Sequence, residues 1–326
     1  MSDEVTYSAA FREAVRDEMA KDDTVFVIGT DLYHRGGHFA QVLGLGEEFG
    51  RDRIRDAPIS EAAMVAAGVG AAMNGMRPIV DLNFIDFAFG AMDEIVNQAA
   101  KIRFMLGRPV PLVIRASSGI ALGGAQHNNS PESWFANVPG LRVAVPATPY
   151  DVKGLMKTAL RGEDPTIFLM HKKLSALRGP VGGLDDLVPF GSAVIRRPGD
   201  DCTLVCSGGT VAKTLEAAES LAASGVSAEV IDLRTLYPLD TEAITTSVRR
   251  TGRAVVVDEA PGFSSIAAEI AATIQEQCFE YLDGPVLRAT STHSSIPYSP
   301  PLIDAILPTV TGIVERVRQT SEAFSA

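Results

Sequence analysis

The sequence predicts an α/β protein built as two doubly wound sheet domains, and three observations predict it. Helix-period and strand-like segments alternate along nearly the whole chain, as parallel sheets joined by crossover helices require. The alternation breaks once, in LRGPVGGLDDLVPFG, a Gly, Pro and Asp stretch without helical periodicity, and then restarts. A chain of 326 residues is too long for one small core, and at 46% hydrophobic and 21% charged it carries apolar material for two. The domains are placed at residues 1–182 and 190–326.

The elements of the first domain follow in order. FREAVRDEMA has apolar residues on one helical face. TVFVIGTD reads as a buried strand running into the loop YHRGGHF, where glycines permit close backbone approach. The next helix carries Glu61 near its start and is closed by Asn74-Gly75, a left-handed terminator; RPIVDLNF is the strand after it. DFAFGAMDEIVNQAAKIRFML is a second helix, with Asp86 placed to cap it. PLVIRAS, LRVAVPAT and PTIFLMH are strands, with the loop SGIALGGAQHNNSPE after the first and the helix PYDVKGLMKTAL between the last two. In the second domain CTLVCSGG, SAEVIDLRTL, RAVVVDEA and PVLRATS are strands, separated by the helices VAKTLEAAESLAASG and SSIAAEIAATIQEQCFEYL.

Charge narrows the function classes. A net charge of -11 and a pI near 5.0, without clustered Lys or Arg, exclude nucleic acid and anionic membrane surfaces as partners. The start, MSDEVTYSAAFREA, lacks the apolar region of a signal peptide, and the Ala-rich runs stop short of the ~18 residues of a spanning helix. A cytoplasmic protein is expected. Its three cysteines have no metal-type spacing, and Cys202 and Cys206 in TLVC alternate with apolar residues as buried thiols do.

Two readings of the chemistry come from residue types alone. A nicotinamide dehydrogenase would need a glycine fingerprint between a strand and a helix, but Gly68-Val69-Gly70 lies inside a helical run, where small residues serve close packing. A non-catalytic structural subunit would explain the small-residue helices and leave Glu61 without a purpose, since a carboxylate among Ala, Val and Gly loses hydration. The plain account of Glu61 is a first-turn charge worth about 0.3–1 kcal/mol to the helix.

The series GTDLYHRGGHF, FGRDRIRDAPISEAAMVAAGVGAAMNGMRPIVDLNFIDF, MDEIVNQAAKIRFM, GGAQHNNSPESWFANVPGLRVAVPATPYDVKGLM, EVIDLRTLYPLD and VVVDEA, in this order, resembles the beta subunit of thiamin-diphosphate-dependent 2-oxo acid dehydrogenases of pyruvate, acetoin and branched-chain type. The resemblance implies a transketolase-like pyrimidine-binding domain followed by a transketolase C-terminal-like domain. It also implies a heterotetramer of two alpha and two beta chains, with thiamin diphosphate between unlike chains. No GDG motif occurs here, so the diphosphate and its Mg²⁺ are expected on the alpha chain. A 2-oxo acid or acyloin is the implied substrate, and lipoamide on a lipoyl-bearing acyltransferase the acceptor. The alternative is a split transketolase-like or acyloin-forming carboligase with the same cofactor.

On that resemblance Glu61 is the residue that hydrogen-bonds N1′ of the aminopyrimidine, Ile59 lines its pocket, Phe87 stacks on the ring, and Asn83 stands where relatives often carry Gln. On residue type alone Phe84, Phe87 and Phe89 would be core. His127 matches the histidine that meets substrate and moves protons during acyl transfer, although Asn128-Asn129 follow it where the family has Ser-Gln. Gly29-Thr30-Asp31 replaces the family's Gly-Glu-Asp, and His34 and His38 stand near it. Potassium is expected on backbone carbonyls near Leu112, Val113, Ala159, Gly162 and Asp164.

Overall fold

The structure, a computed structural model, describes residues 4–121 and 123–322. It forms two units, one running through Ser118 and over Trp134–Phe190, the other taking Gly119–Ser133 and everything from Gly191 onward.

In the first unit the chain forms β1 (Val5–Thr6), α1 (Tyr7–Lys21), β2 (Val25–Gly29), α2 (Leu45–Phe49), β3 (Ile54–Asp56), α3 (Glu61–Met73), β4 (Arg77–Phe84), α4 (Ala100–Leu106) and β5 (Val113–Ser118). The short α5 (Glu132–Ala136) leads back into it, and β6 (Arg142–Ala144), α6 (Pro149–Arg161), β7 (Thr166–His171) and β8 (Arg178–Gly179) complete it. Thr6 caps α1 by accepting from the Ala9 amide, and Thr148 caps α6 with Pro149 in its first turn. The strands lie in the order β6-β7-β5-β4-β2-β3, all parallel. Phe11, Val15, Val27, Ile79 and Phe168 are fully buried between helix and sheet, each worth about 1.5–3 kcal/mol of transfer free energy.

Two features of this sheet position a site. Chain order reverses at β2, because β3 lies on one side of it and β4 on the other. The crevice beyond the C-terminal ends of β2 and β4 is therefore a topological switch point, where open α/β sheets bind ligands. Second, α3 lies directly on the sheet: a Cβ added at Gly68 would sit 2.6 Å from Val80 Cγ2. Gly68 is thus a packing residue, not part of a dinucleotide loop.

The segment after β4 departs from the single helix the sequence predicts. It is a 3₁₀ turn over Ile85–Ala91, a π-helical turn over Glu94–Ala99, and then α4. Phe84 holds the cap position and Asp86 is a buried residue of the first turn, so the predicted Asp86 cap is corrected. Aromatic residues and Gly90 are poor helix formers, which leaves the backbone free to take these tighter and wider turns.

The second unit contains β9 (Val194–Arg197), β10 (Cys202–Cys206), α7 (Val211–Ala222), β11 (Ala228–Asp232), β12 (Thr235–Tyr237), α8 (Thr241–Thr251), β13 (Ala254–Pro261), α9 (Ile266–Cys278), β14 (Leu287–Ser291), α10 (Pro300–Ile306) and α11 (Val310–Glu322). Its sheet has the order β14-β13-β10-β11-β9, parallel except for the edge strand β9. Helix α7 packs with α11, and α8 with α9. Cys202, Cys206 and Cys278 are free and buried, and burial pushes the Cys202 thiol up to about 12, so it stays protonated and unreactive. Among the described residues no helix is long and apolar enough to cross a membrane.

Asp258, near the end of β13, carries a pH signature. Burial raises its carboxyl from 3.8 to about 6, against the opposing hydrogen bonds from the Ala260 and Ala267 amides. A folded-state value above the unfolded one contributes stability that is full below about pH 4 and lost as pH rises through about 6. Asp258→Asn is therefore expected to gain thermal stability relative to the parent as pH rises from about 4.5 to about 7. Melting temperatures across that range check it, and a pH-independent offset between the two proteins would contradict it.

Candidate active site

The switch-point crevice is walled by α3. Buried positions Met64, Val65, Gly68, Val69 and Ala72 form the stripe that faces the sheet, and Glu61 heads it at the first residue of the helix. Glu61 thus continues the core-facing stripe at the start of the helix and is half-buried. Ser60, the cap residue, makes no side-chain bond to the helix, so the first-turn amides and their positive dipole end face the same space as Glu61. The sequence predicts an apolar enclosure around Glu61. This chain supplies only its inner wall, because Ile59 is 81% exposed and Ala63, Ala66, Ala67 and Gly70 line the outer face of the helix.

The opposite wall is the turn after β4, against which α3 packs. Asn83 is in a left-handed conformation, φ 62°, at the point where the β4–β5 register shifts. Its Oδ1 is buried without a hydrogen-bond partner. Strained non-glycine residues and unsatisfied buried polar groups both cluster at functional sites. Phe87 is half-buried, its ring edge-on to Phe84 at 5.7 Å. Phe84 in turn meets the His38 ring at 4.8 Å and lies under the Lys172 ammonium at 5.4 Å. Phe84, Phe87 and Phe89 are all half-buried, not closed core.

Beneath this turn lies a polar network in which the sequence singles out no residue. Asp81 and Arg115 stand directly opposite in the β4–β5 register, each about 1% exposed, with Arg115 Nη1 3.3 Å from both carboxylate oxygens. Asp81 also accepts from the Asn83 amide at 2.9 Å and from Gln41 Nε2 at 2.7 Å. It thereby fixes the strained turn on one side and the loop after β2 on the other. Asp56 holds the start of that loop, accepting from the Leu32 and Tyr33 amides. One charge interrupting each of two apolar strands, IVDL and VIRA, is the signal that marks such a pair.

The remaining candidates lie elsewhere. His127 ends a 3₁₀ turn, Ala125–His127, in the second unit, half-buried. Asn128 beside it is fully buried, its Oδ1 accepting from the Ala121 amide and its Nδ2 donating to Gly124 O. In the predicted potassium region Leu112 O accepts from Thr166 and Ala159 O from Gly162. Arg77 Nη1 donates at 2.7 Å to both Leu160 O and Gly162 O, and the Asp164 carboxylate pairs with Arg103 and Arg142. Val113 is a buried strand residue. Guanidinium groups thus supply positive charge beside several of these carbonyls.

Both units have counterparts in known proteins. Residues 3–176 match the transketolase pyrimidine-binding domain and residues 191–313 the transketolase C-terminal domain. The chain is 43% identical to the 2-oxoisovalerate dehydrogenase subunit beta of Bacillus subtilis over 91% of its length and 92% of that protein. It is 41% identical to the acetoin:2,6-dichlorophenolindophenol oxidoreductase subunit beta of Cupriavidus necator over 98% of both chains. The chain belongs to the transketolase-like family of dehydrogenase beta subunits. The pyruvate dehydrogenase E1 component subunit beta of Rhizobium meliloti is 40% identical over 96% of this chain and 69% of its own. A solved split-gene transketolase, an inactive beta4 tetramer, shares the fold with a TM-score of 0.82 at 23% identity, covering 98% of this chain and 99% of its own.

Proposed function

We propose that this chain is the beta subunit of a thiamin-diphosphate-dependent 2-oxo acid dehydrogenase component of pyruvate or acetoin type. It works in a tetramer of two alpha and two beta chains and passes its acyl group to lipoamide on an acyltransferase. The observation that carries the reading is Glu61 at the head of the core-facing stripe of α3, across a crevice from the strained Asn83 turn and Phe87. These groups suit an aminopyrimidine: a carboxylate to hold a proton at the ring nitrogen N1′, an amide oxygen without a donor, and an aromatic ring to stack. Thiamin diphosphate, when bound, supplies the nucleophilic carbon that attacks the 2-oxo carbonyl. This chain's part is to orient the pyrimidine and hold its proton, while the alpha chain carries the diphosphate and Mg²⁺.

The exposure of Ile59 and of the small-residue face of α3 fits a pocket that a second chain completes. Desolvation on assembly would then strengthen the hydrogen bond of Glu61 to the ring. Co-expression with the alpha chain, followed by a screen of pyruvate, 2-oxoisovalerate and acetoin with lipoamide as acceptor, tests the reading. Turnover of one of these only in the presence of both chains is expected. Transfer to aldoses with no turnover on lipoamide would replace this reading with a transketolase-like ligase.

A further inference from the structure

The segment from Gly119 to Ser133 leaves β5 of the first unit but folds with the second, and its attachments there are specific. Ile120 is buried in a small cluster with Ile296, Ile303 and Leu307. Its amide donates to Glu259 Oε1 at 2.5 Å, a charge-assisted bond of the strong kind. Gly124, at φ +73°, lies so close to Tyr298 that a Cβ there would fall 2.1 Å from the ring. Within the segment, Asn128 ties Ala121 to Gly124, so what fixes Ile120 also fixes the turn that ends at His127.

Glu259 is well placed to be the anchor. It stands near the end of β13, and its own carbonyl accepts from Ser291 Oγ of β14 at 2.5 Å. Its backbone is thus held by the neighbouring strand, and its carboxylate presents a fixed point to a glycine-rich loop. We propose that Glu259 is a positioning residue for His127, so that the C-terminal domain sets where the histidine stands. The inference rests on the reading of His127 as the group that meets substrate. The loop itself has three glycines and two alanines in GIALGGA, and without an outside hold the histidine would sample many positions.

The test uses the assembled alpha–beta enzyme with Glu259→Ala, Glu259→Gln, His127→Ala and the Glu259→Ala/His127→Ala double variant. Amide exchange over residues 119–129 is expected to quicken about tenfold or more in Glu259→Ala. Its kcat should fall about 10–100-fold, the cost of a misplaced catalytic group, with thiamin diphosphate affinity unchanged. Glu259→Gln, whose amide oxygen still accepts from Ile120, should recover most of the loss. In the His127→Ala background, Glu259→Ala should cost less than about twofold more, since coupled residues are not additive. Unchanged exchange in Glu259→Ala overturns the proposal, as does a full additional loss in the His127→Ala background. Near-parental activity of His127→Ala would instead overturn the role given to the histidine, and the exchange result would still decide whether Glu259 holds the loop.

Discussion

Glu61→Gln, assembled with the alpha chain and saturated with cofactor, is expected to turn over its 2-oxo acid about 10²–10⁴-fold more slowly than the parent. That range corresponds to about 3–5 kcal/mol of barrier. The substitution keeps the shape and both hydrogen-bonding positions of the side chain but removes its capacity to hold a proton at N1′. Its structural cost is separable, because Glu61 is the first residue of α3 and only half-buried. Loss of a first-turn charge costs about 0.3–1 kcal/mol of helix stability. The variant should therefore form the tetramer, bind thiamin diphosphate and melt within a few degrees of the parent. Steady-state turnover, gel filtration and a melting curve together check this. Activity within tenfold of the parent would reduce Glu61 to a helix-terminal charge, the plain account that its position also permits.

What the sequence reveals of this fold depends on how local the determining physics is. Strand β4 coincides with the predicted RPIVDLNF, and α3 ends at Asn74 with Gly75 at φ +88°, because turn chemistry and apolar periodicity both lie within the segment itself. The turn after β4 could not be read that way. DFAFGAMDEIVNQAAKIRFML reads as one helix, yet its 3₁₀ and π-helical stretches arise where the chain must leave the strained Asn83 and pack on α3. Helix α8 was equally hidden: TEAITTSVRRT is rich in β-branched residues of low helix propensity, and it forms because Asp240 caps it and Ile244 and Val248 are buried.

The site shows the same division. The collinear motifs point to Glu61, Asn83 and Phe87, which stand at the first residue of α3, near the end of β4 and in the 3₁₀ turn after it. Burial was the part that sequence could not supply. A helix of Ala, Val and Gly suggests enclosure of Glu61, but half of that apolar surface faces outward, and Ile59 with it. The attachment of the His127 loop to the second unit was hidden too, since it depends on Glu259, Ile296 and Tyr298, far along the chain.

The largest expected effect on stability lies beneath the crevice, at Arg115. Arg115→Met fills similar volume with apolar atoms and leaves the Asp81 carboxylate buried, with Gln41 Nε2 and the Asn83 amide as its hydrogen-bond donors. Breaking a buried pair from one side typically costs about 3–5 kcal/mol, because an uncompensated charge remains out of water. At about 2–4 °C per kcal/mol for a unit of this size, the melting temperature should drop by about 6–20 °C. Replacing both partners, Asp81→Leu with Arg115→Met, removes the charge and should recover much of the loss. The double variant nevertheless loses the acceptor that fixes Asn83 and Gln41, so it should fold while binding thiamin diphosphate more weakly than the parent. Melting curves for both variants and a cofactor titration of the double one separate the two roles. A single variant that melts within a degree or two of the parent would show that Asp81 does not depend on Arg115. A double variant with parental cofactor affinity would show that the Asn83 turn keeps its strained shape without the network below it.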